Sequence, residues 1–233
     1  MTREELLQSA KPILFNTEMV RAILDGRKAV TRRVVKNLPE DAEFGGWLLD
    51  STCQEDAKDI EKAGFKTLKR QTEKAGCIFV KPPCVERDIL WVRETWQHLY
   101  ELDGNEQIIE GTEKYYYAAS DIIPFDTYVD TMGRTHQKVP WRPSIHMPKE
   151  AARIFLRVKD VRVERLQDMS ENDAIKEGVT AEPVLEGGEE LPALYWFPQL
   201  WNSTIKKADL EQYGWEASPW VWVIEFERVE VDE

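Results

Sequence analysis

Cysteine and histidine are scarce, with three of each in 233 residues. Cys53, Cys77 and Cys84 are odd in number and irregular in spacing, so they imply no disulfide framework. Cys77 and Cys84 stand too far apart for a CxxC pair, and His98, His136 and His146 form no HxxxH, so no metal site is expected. The longest uncharged stretch, LPALYWFPQLWNSTI, is too short and too polar to cross a bilayer. The opening MTREELLQSAK is acidic and has no apolar core, so no signal peptide is expected and the cytoplasm is the default location. There is no GxGxxG, no Walker A motif and no internal repeat, and no cofactor is expected. Positive charge is also short overall. The formal net charge is −12, which argues against non-specific coating of nucleic acid, a mode that rests on many phosphate contacts.

Against that background, one stretch is basic. Arg21 to Lys36 holds six basic residues (Arg21, Arg27, Lys28, Arg32, Arg33, Lys36) against the single acid Asp25, a local charge of +5. Within it, DGRKAVTRR sets a threonine, Thr31, among the cations. An asymmetry this local suits a site rather than a coating surface. Nine tryptophans add flat indole surface that serves either as core or as a stacking platform for bases.

NTEMVRAILDG reads as a short helix, with Asn16 or Thr17 as cap, Met19, Val20, Ile23 and Leu24 as the apolar stripe and Gly26 as the stop. AVTRRVV then alternates as a strand, with Val30, Arg32 and Val34 on one face and Thr31, Arg33 and Val35 on the other. DILWVRETW predicts one strand on which Leu90, Val92, Glu94 and Trp96 share a face. VPWRPSIHMP is a loop whose prolines enforce extended or turned backbone. ARIFLRVKDVRVERL is a strand whose phase slips after Val158, a mark of a bulge or bend. SENDAIKEG is a capped helix, FPQLWNSTI another helix, and PWVWVIEFERVEV a long strand whose Trp220, Trp222, Ile224 and Phe226 face the core. Residues 37–76, charged and weakly helical, and residues 100–140, acidic and turn-rich, read as two insertions in a single domain spanning 1–233. Short strands with a phase slip, broken by small helices, predict an α+β fold built on a small mixed β-barrel.

The helix running into G-[RK]-K-x-x-T-x-R, matched here by Gly26, Lys28, Thr31 and Arg33, resembles the signature of the ASCH domain, a branch of the PUA-like β-barrel superfamily. DILWVRETW, WRPSIHMP, VRVERLQDMSENDAIKEG and SPWVWVIEFERV, in that order, look like the long ASCH proteins of phages and prophages. The Gly-Asp turn common in the family before the LWVRE strand is replaced by Glu86, Arg87 and Asp88.

The resemblance implies a PUA-like barrel associated with RNA and modified nucleosides. Some small members remove the acetyl group from N4-acetylcytidine with a Lys, a Thr and a Glu. Carried over by motif, Lys28 and Thr31 take the first two roles and Glu94 the third, with Arg33 as the motif arginine. Arg32, Trp91, Trp141, Arg142, Ser144 and His146 are candidate substrate-binding residues beside Arg33, the last three as polar groups on a proline-held loop. A lysine whose pKa is lowered by burial and by neighbouring cations can take the proton of a threonine hydroxyl that attacks an amide. Three readings follow: an amidohydrolase acting on an N4-acylated cytidine or related modified nucleoside; a non-catalytic RNA or modified-base binding module, with ribonuclease as its variant; and a phage interaction protein using the barrel as a scaffold.

Overall fold

The structure, a computed structural model, describes residues 1–48, 61–67, 76–105, 107–124, 128–129, 132–136, 138–180, 182–183 and 190–231. The chain divides into two compact units, each assembled from separated segments. The first comprises Met1–Arg27, Asp88–Arg157 and Arg228–Glu233; the second comprises Lys28–Arg87 and Val158–Glu227.

In the first unit, a capping box between Thr2 and Glu5 starts the Arg3–Ser9 helix. Asn16 caps the Thr17–Leu24 helix, its side-chain oxygen accepting from the Met19 N–H at 2.8 Å. Val20, Ala22 and Ile23 form the buried stripe, and Gly26 ends the run with φ of 73°. The Lys11–Leu14 strand runs parallel to Ile89–Arg93, with Ile13 opposite Val92. On its other side Ile89–Arg93 pairs antiparallel with residues 155–157, placing Trp91 opposite Phe155. Leu6, Trp91, Trp96, Met147 and Phe155 pack one core.

DILWVRETW is not one strand but two. Pairing stops at Arg93, and Trp96–Leu99 turns to a different partner, Lys114–Tyr117, with Trp96 opposite Tyr117. At the break the chain meets partners distant in sequence: the Glu94 N–H donates to the Met147 sulfur at 3.2 Å, and Trp96 exchanges backbone hydrogen bonds with Arg142. Arg87 takes φ of 71° in the turn before Ile89, a left-handed conformation that glycine adopts more cheaply.

In the second unit the strand over residues 220–227 lies between Val30–Val34 and residues 158–165. Val30–Val34 is antiparallel to it, with Thr31 opposite Ile224 and Arg33 opposite Trp222. Val30, Val221 and Val223 pack with Leu166, Phe197 and Trp201 in a second core. Lys159 and Asp160 are both exposed, a break in alternation where the phase slip falls. The Glu171–Lys176 helix opens on the Ser170–Asp173 capping box, and Gly178 follows its end at φ of 91°. The Ala193–Thr204 helix contains the predicted FPQLWNSTI segment apart from its last residue.

The first insertion is β rather than helical where it is described. Ala42–Leu48, Lys62–Thr67 and Cys77–Val80 form an antiparallel meander. Residues 49–60 and 68–75, with Cys53 and most of the weakly helical stretch, lie outside the described residues. Glycines and aromatic residues (Phe44, Gly45, Gly46, Trp47, Gly64, Phe65) favour strand and bulge over helix here.

The fold is mixed α+β, and no closed barrel forms among the described residues. Val30–Val34 ends its ladder as an edge. Just before it, the edge is covered by a helix terminus: the Ala29 N–H donates to the Lys176 carbonyl at 2.8 Å, and Lys28 bridges Glu177. Among the described residues no helix is long and apolar enough to cross a membrane.

Candidate functional site

The basic stretch is drawn to a carboxylate that lies 149 residues away in sequence. Lys28 follows the Gly26 turn, and its side chain is completely buried. Its ammonium donates to the Glu177 carboxylate at 2.5 Å and to the Glu177 carbonyl at 2.8 Å. Glu177 is the C-cap of the Glu171–Lys176 helix and is itself buried. Its second carboxylate oxygen meets Arg32 Nη1 at 3.3 Å.

Arg32 is also sequestered. Its Nη2 lies 3.5 Å from Glu164 and 3.6 Å from Asp173, and its Nε is buried without a hydrogen-bond partner. Arg162 braces the outer carboxylates, contacting Glu164 and lying 3.7 Å from Asp173. Arg32, proposed from sequence as substrate-binding, thus sits inside an ion-pair network.

Burial pushes the Lys28 ammonium below the ordinary lysine range. Glu177 opposes that shift by charge and hydrogen bond, while Arg33 and Arg32 add to it. The Arg33 guanidinium is likewise lowered by burial, with Glu177 and Cys84 acting against the shift. Thr31, buried at 1% exposure, shares its strand face with Arg33, and both point away from the face of Arg32. Lys28, Arg32, Arg33 and Glu177 therefore interact as one group, with Thr31 on the strand that carries the two arginines.

The remaining sequence candidates belong to the first unit. Glu94 is 1% exposed, and both its oxygens are held by one guanidinium: Arg153 Nε donates to Oε1 at 2.9 Å and Nη2 to Oε2 at 2.8 Å. The same guanidinium lies 3.9 Å over the Tyr117 ring and donates to Ser120 Oγ at 2.8 Å. Burial raises the Glu94 pKa; Arg153 pulls it down, and Asp121 adds to the rise. Tyr117, donating its hydroxyl proton to the Ala151 carbonyl, is pushed up to about 12, mainly by burial.

Trp91 is buried in the core, with Arg93 at 5.6 Å over its ring. Trp141 is half-buried and Arg142 exposed, its guanidinium 5.3 Å from the Trp96 ring centre. Ser144 and His146 bound a single 3-10 turn, half-buried and exposed respectively.

Glu177 is the residue that sequence reasoning missed. A carboxylate at the C-terminal end of a helix opposes the helix dipole, and that local misfit is the signal that points to a distant cation. A cavity of about 550 Å3 opens elsewhere in the second unit, beside Val35, Glu40, Arg165, Glu211, Tyr213 and Trp220, and neither Lys28 nor Thr31 lines it. Among the described residues no cluster of His, Cys, Asp and Glu is arranged to hold a metal ion. No family model, curated protein or solved structure matches the chain.

Proposed function

We propose that this chain is an ASCH-type protein on a PUA-like frame that hydrolyses the amide of an N4-acylated cytidine or a related modified nucleoside. The observation carrying the reading is the buried Lys28 ammonium, held on Glu177 among two arginines, with its pKa lowered by burial. We assign this lysine as the base for the hydroxyl of Thr31, three residues on in the chain, because Arg33, which shares the Thr31 face, lies close enough to Lys28 and Glu177 to act electrostatically on both.

In the first step neutral Lys28 accepts the Thr31 proton as the threonine oxygen bonds to the acyl carbon. The carbonyl electron pair moves onto oxygen, and Arg33, on the face of Thr31, stabilises that charge. Collapse breaks the C–N bond while Lys28 returns its proton to N4, freeing the cytidine. Lys28 then takes a proton from water as the water oxygen bonds to the acyl carbon, and returns it to Thr31 Oγ as the C–O ester bond breaks, releasing the carboxylic acid and restoring both residues.

Glu177, rather than Glu94, is the carboxylate assigned to the lysine. It fixes the Lys28 side chain and stabilises the ammonium formed midway. Glu94 is assigned the role of anchoring Arg153 within the first unit. The test is release of cytidine from N4-acetylcytidine by purified protein, followed by chromatography, with Lys28→Ala and Thr31→Ala alongside. Turnover in the wild type, lost in both folded variants, is expected. Absence of turnover on this and other N4-acylated cytidines from well-folded wild type overturns the reading, and RNA binding across a salt series becomes the next measurement.

A further inference from the structure

We propose that Trp47, contributed by the first insertion, is the stacking wall for the pyrimidine ring of the substrate, an inference that rests on the nucleoside reading above. The register of the second unit carries it. Directly opposed residues of an antiparallel pair project to the same face, so Thr31 with Ile224 and Arg33 with Trp222 define one surface. Trp222 fills that surface and is 4% exposed. The ring centre of Trp47 lies 5.8 Å from that of Trp222, with the planes at 41°, and Trp47 is only half-buried. An indole with accessible surface therefore packs beside Trp222, the cross-strand neighbour of Arg33 on the face that Thr31 shares.

The meander is built to deliver that ring. Phe44 stands opposite Phe65, yet Gly46 stands opposite Gly64, so Gly45 is an extra residue, a β-bulge. Without it, Phe44 and Trp47, three positions apart, would project to opposite faces. With it, Trp47 falls opposite Ala63 on the face of Phe65. The ring contacts agree: Phe44 and Phe65 meet Trp220 while Trp47 meets Trp222. Gly46 has φ of 112°, which a side chain would resist, so the glycine pair makes the bulge possible.

Base–aromatic stacking suits a ring that must be accepted before its exocyclic amide is cleaved. It also gives the insertion a task that the buried ion pairs cannot perform, since Lys28, Arg32 and Glu177 contact one another by charge and hydrogen bond and offer no flat apolar surface.

The experiment is calorimetric titration of the full chain with cytidine, the reaction product, which has no acyl group left to cleave, so that binding is read apart from turnover. Trp47→Phe, which keeps a ring, is expected to stay within about threefold of the wild-type Kd. Trp47→Ala and Trp47→Leu are expected to weaken binding about tenfold or more, the range set by loss of one base–aromatic stack. Leucine keeps apolar bulk against Trp222, so a loss in folded Trp47→Leu reports the π face rather than packing. Wild-type affinity in Trp47→Leu, or no binding of cytidine by wild type, overturns the inference. Ring-dependent cytidine binding without release from N4-acetylcytidine leaves the stacking wall standing and overturns the hydrolase reading alone.

Discussion

Removing either partner of the Lys28–Glu177 pair should cost far more than removing both. The two side chains are 0% and 5% exposed, so the survivor of a single substitution is a buried charge that has lost its shortest ion-pair contact. Breaking such a pair typically costs about 3–5 kcal/mol, whereas exchanging both members for apolar groups of similar size is often close to neutral. The geometry orders the single variants. Glu177→Gln takes a carboxylate from two cations at once, because Arg32 Nη1 shares it at 3.3 Å with Lys28, although Arg32 keeps Glu164 and Asp173. Lys28→Met strands one anion, which Arg32 still faces. Glu177→Gln should therefore be the more destabilising of the two.

In Lys28→Met/Glu177→Leu, Arg32 keeps Glu164 and Asp173, so the double variant should cost less than either single, recovering about 3 kcal/mol or more over the sum of the singles, at the top of the usual range for residues in contact. Urea unfolding followed by circular dichroism reads this directly. A loss of 3 kcal/mol moves the midpoint by about 1 M or more at a typical slope. Little change between 0.1 and 0.5 M NaCl is expected, because buried pairs are poorly screened. Single variants costing under about 1 kcal/mol each and simply adding would refute the reasoning.

Two other consequences are open to measurement. Lys28 has its pKa lowered on folding, so the folded state binds fewer protons than the unfolded chain between the folded value and the ordinary lysine value of about 10.5. Stability relative to Lys28→Met should rise with pH across that window, and kcat/KM should rise along a limb whose midpoint lies below the ordinary lysine pKa; a limb at that ordinary value would contradict the assignment. Gly214 follows the Leu210–Tyr213 helix, and a Cβ there would lie 2.5 Å from the Leu210 carbonyl oxygen and 3.3 Å from Asn202 Oδ1. Gly214→Ala should lower stability by about 1–3 kcal/mol in the same urea assay, and an unchanged midpoint would contradict that packing.

Much of the local structure was legible because it is written in caps and periodicity. Asn16, Gly26, the Ser170–Asp173 box and Gly178 mark helix ends by chemistry that acts within a few residues. The strands Val30–Val34 and Trp220–Val229 are visible in alternation and β-branched content. What was not legible depends on partners distant in sequence. At the split of DILWVRETW the chain meets Met147 and Arg142, and nothing in its own pattern announces the break. The meander was hidden because charged residues around its short strands imitate a helix-like composition. Burial of Glu94 was readable from its shared face with Leu90 and Val92, but its Arg153 partner was not. Glu177 was overlooked because it closes a helix and belongs to no periodic face; its partner, Lys28, is placed by the edge pairing of Ala29 with Lys176.

The most direct test of the site is kcat for N4-acetylcytidine in Glu177→Gln and Glu94→Gln, measured side by side on protein verified as folded, with Glu177→Asp as the conservative control. Loss of about 100-fold or more is expected in Glu177→Gln, the scale of a disabled general base, with partial recovery in Glu177→Asp. Glu94→Gln is expected to fall by less than about tenfold, since that carboxylate is assigned to Arg153 rather than to the lysine. A Glu177→Gln enzyme that turns over normally while Glu94→Gln is inactive would contradict the assignment and return the catalytic carboxylate to Glu94.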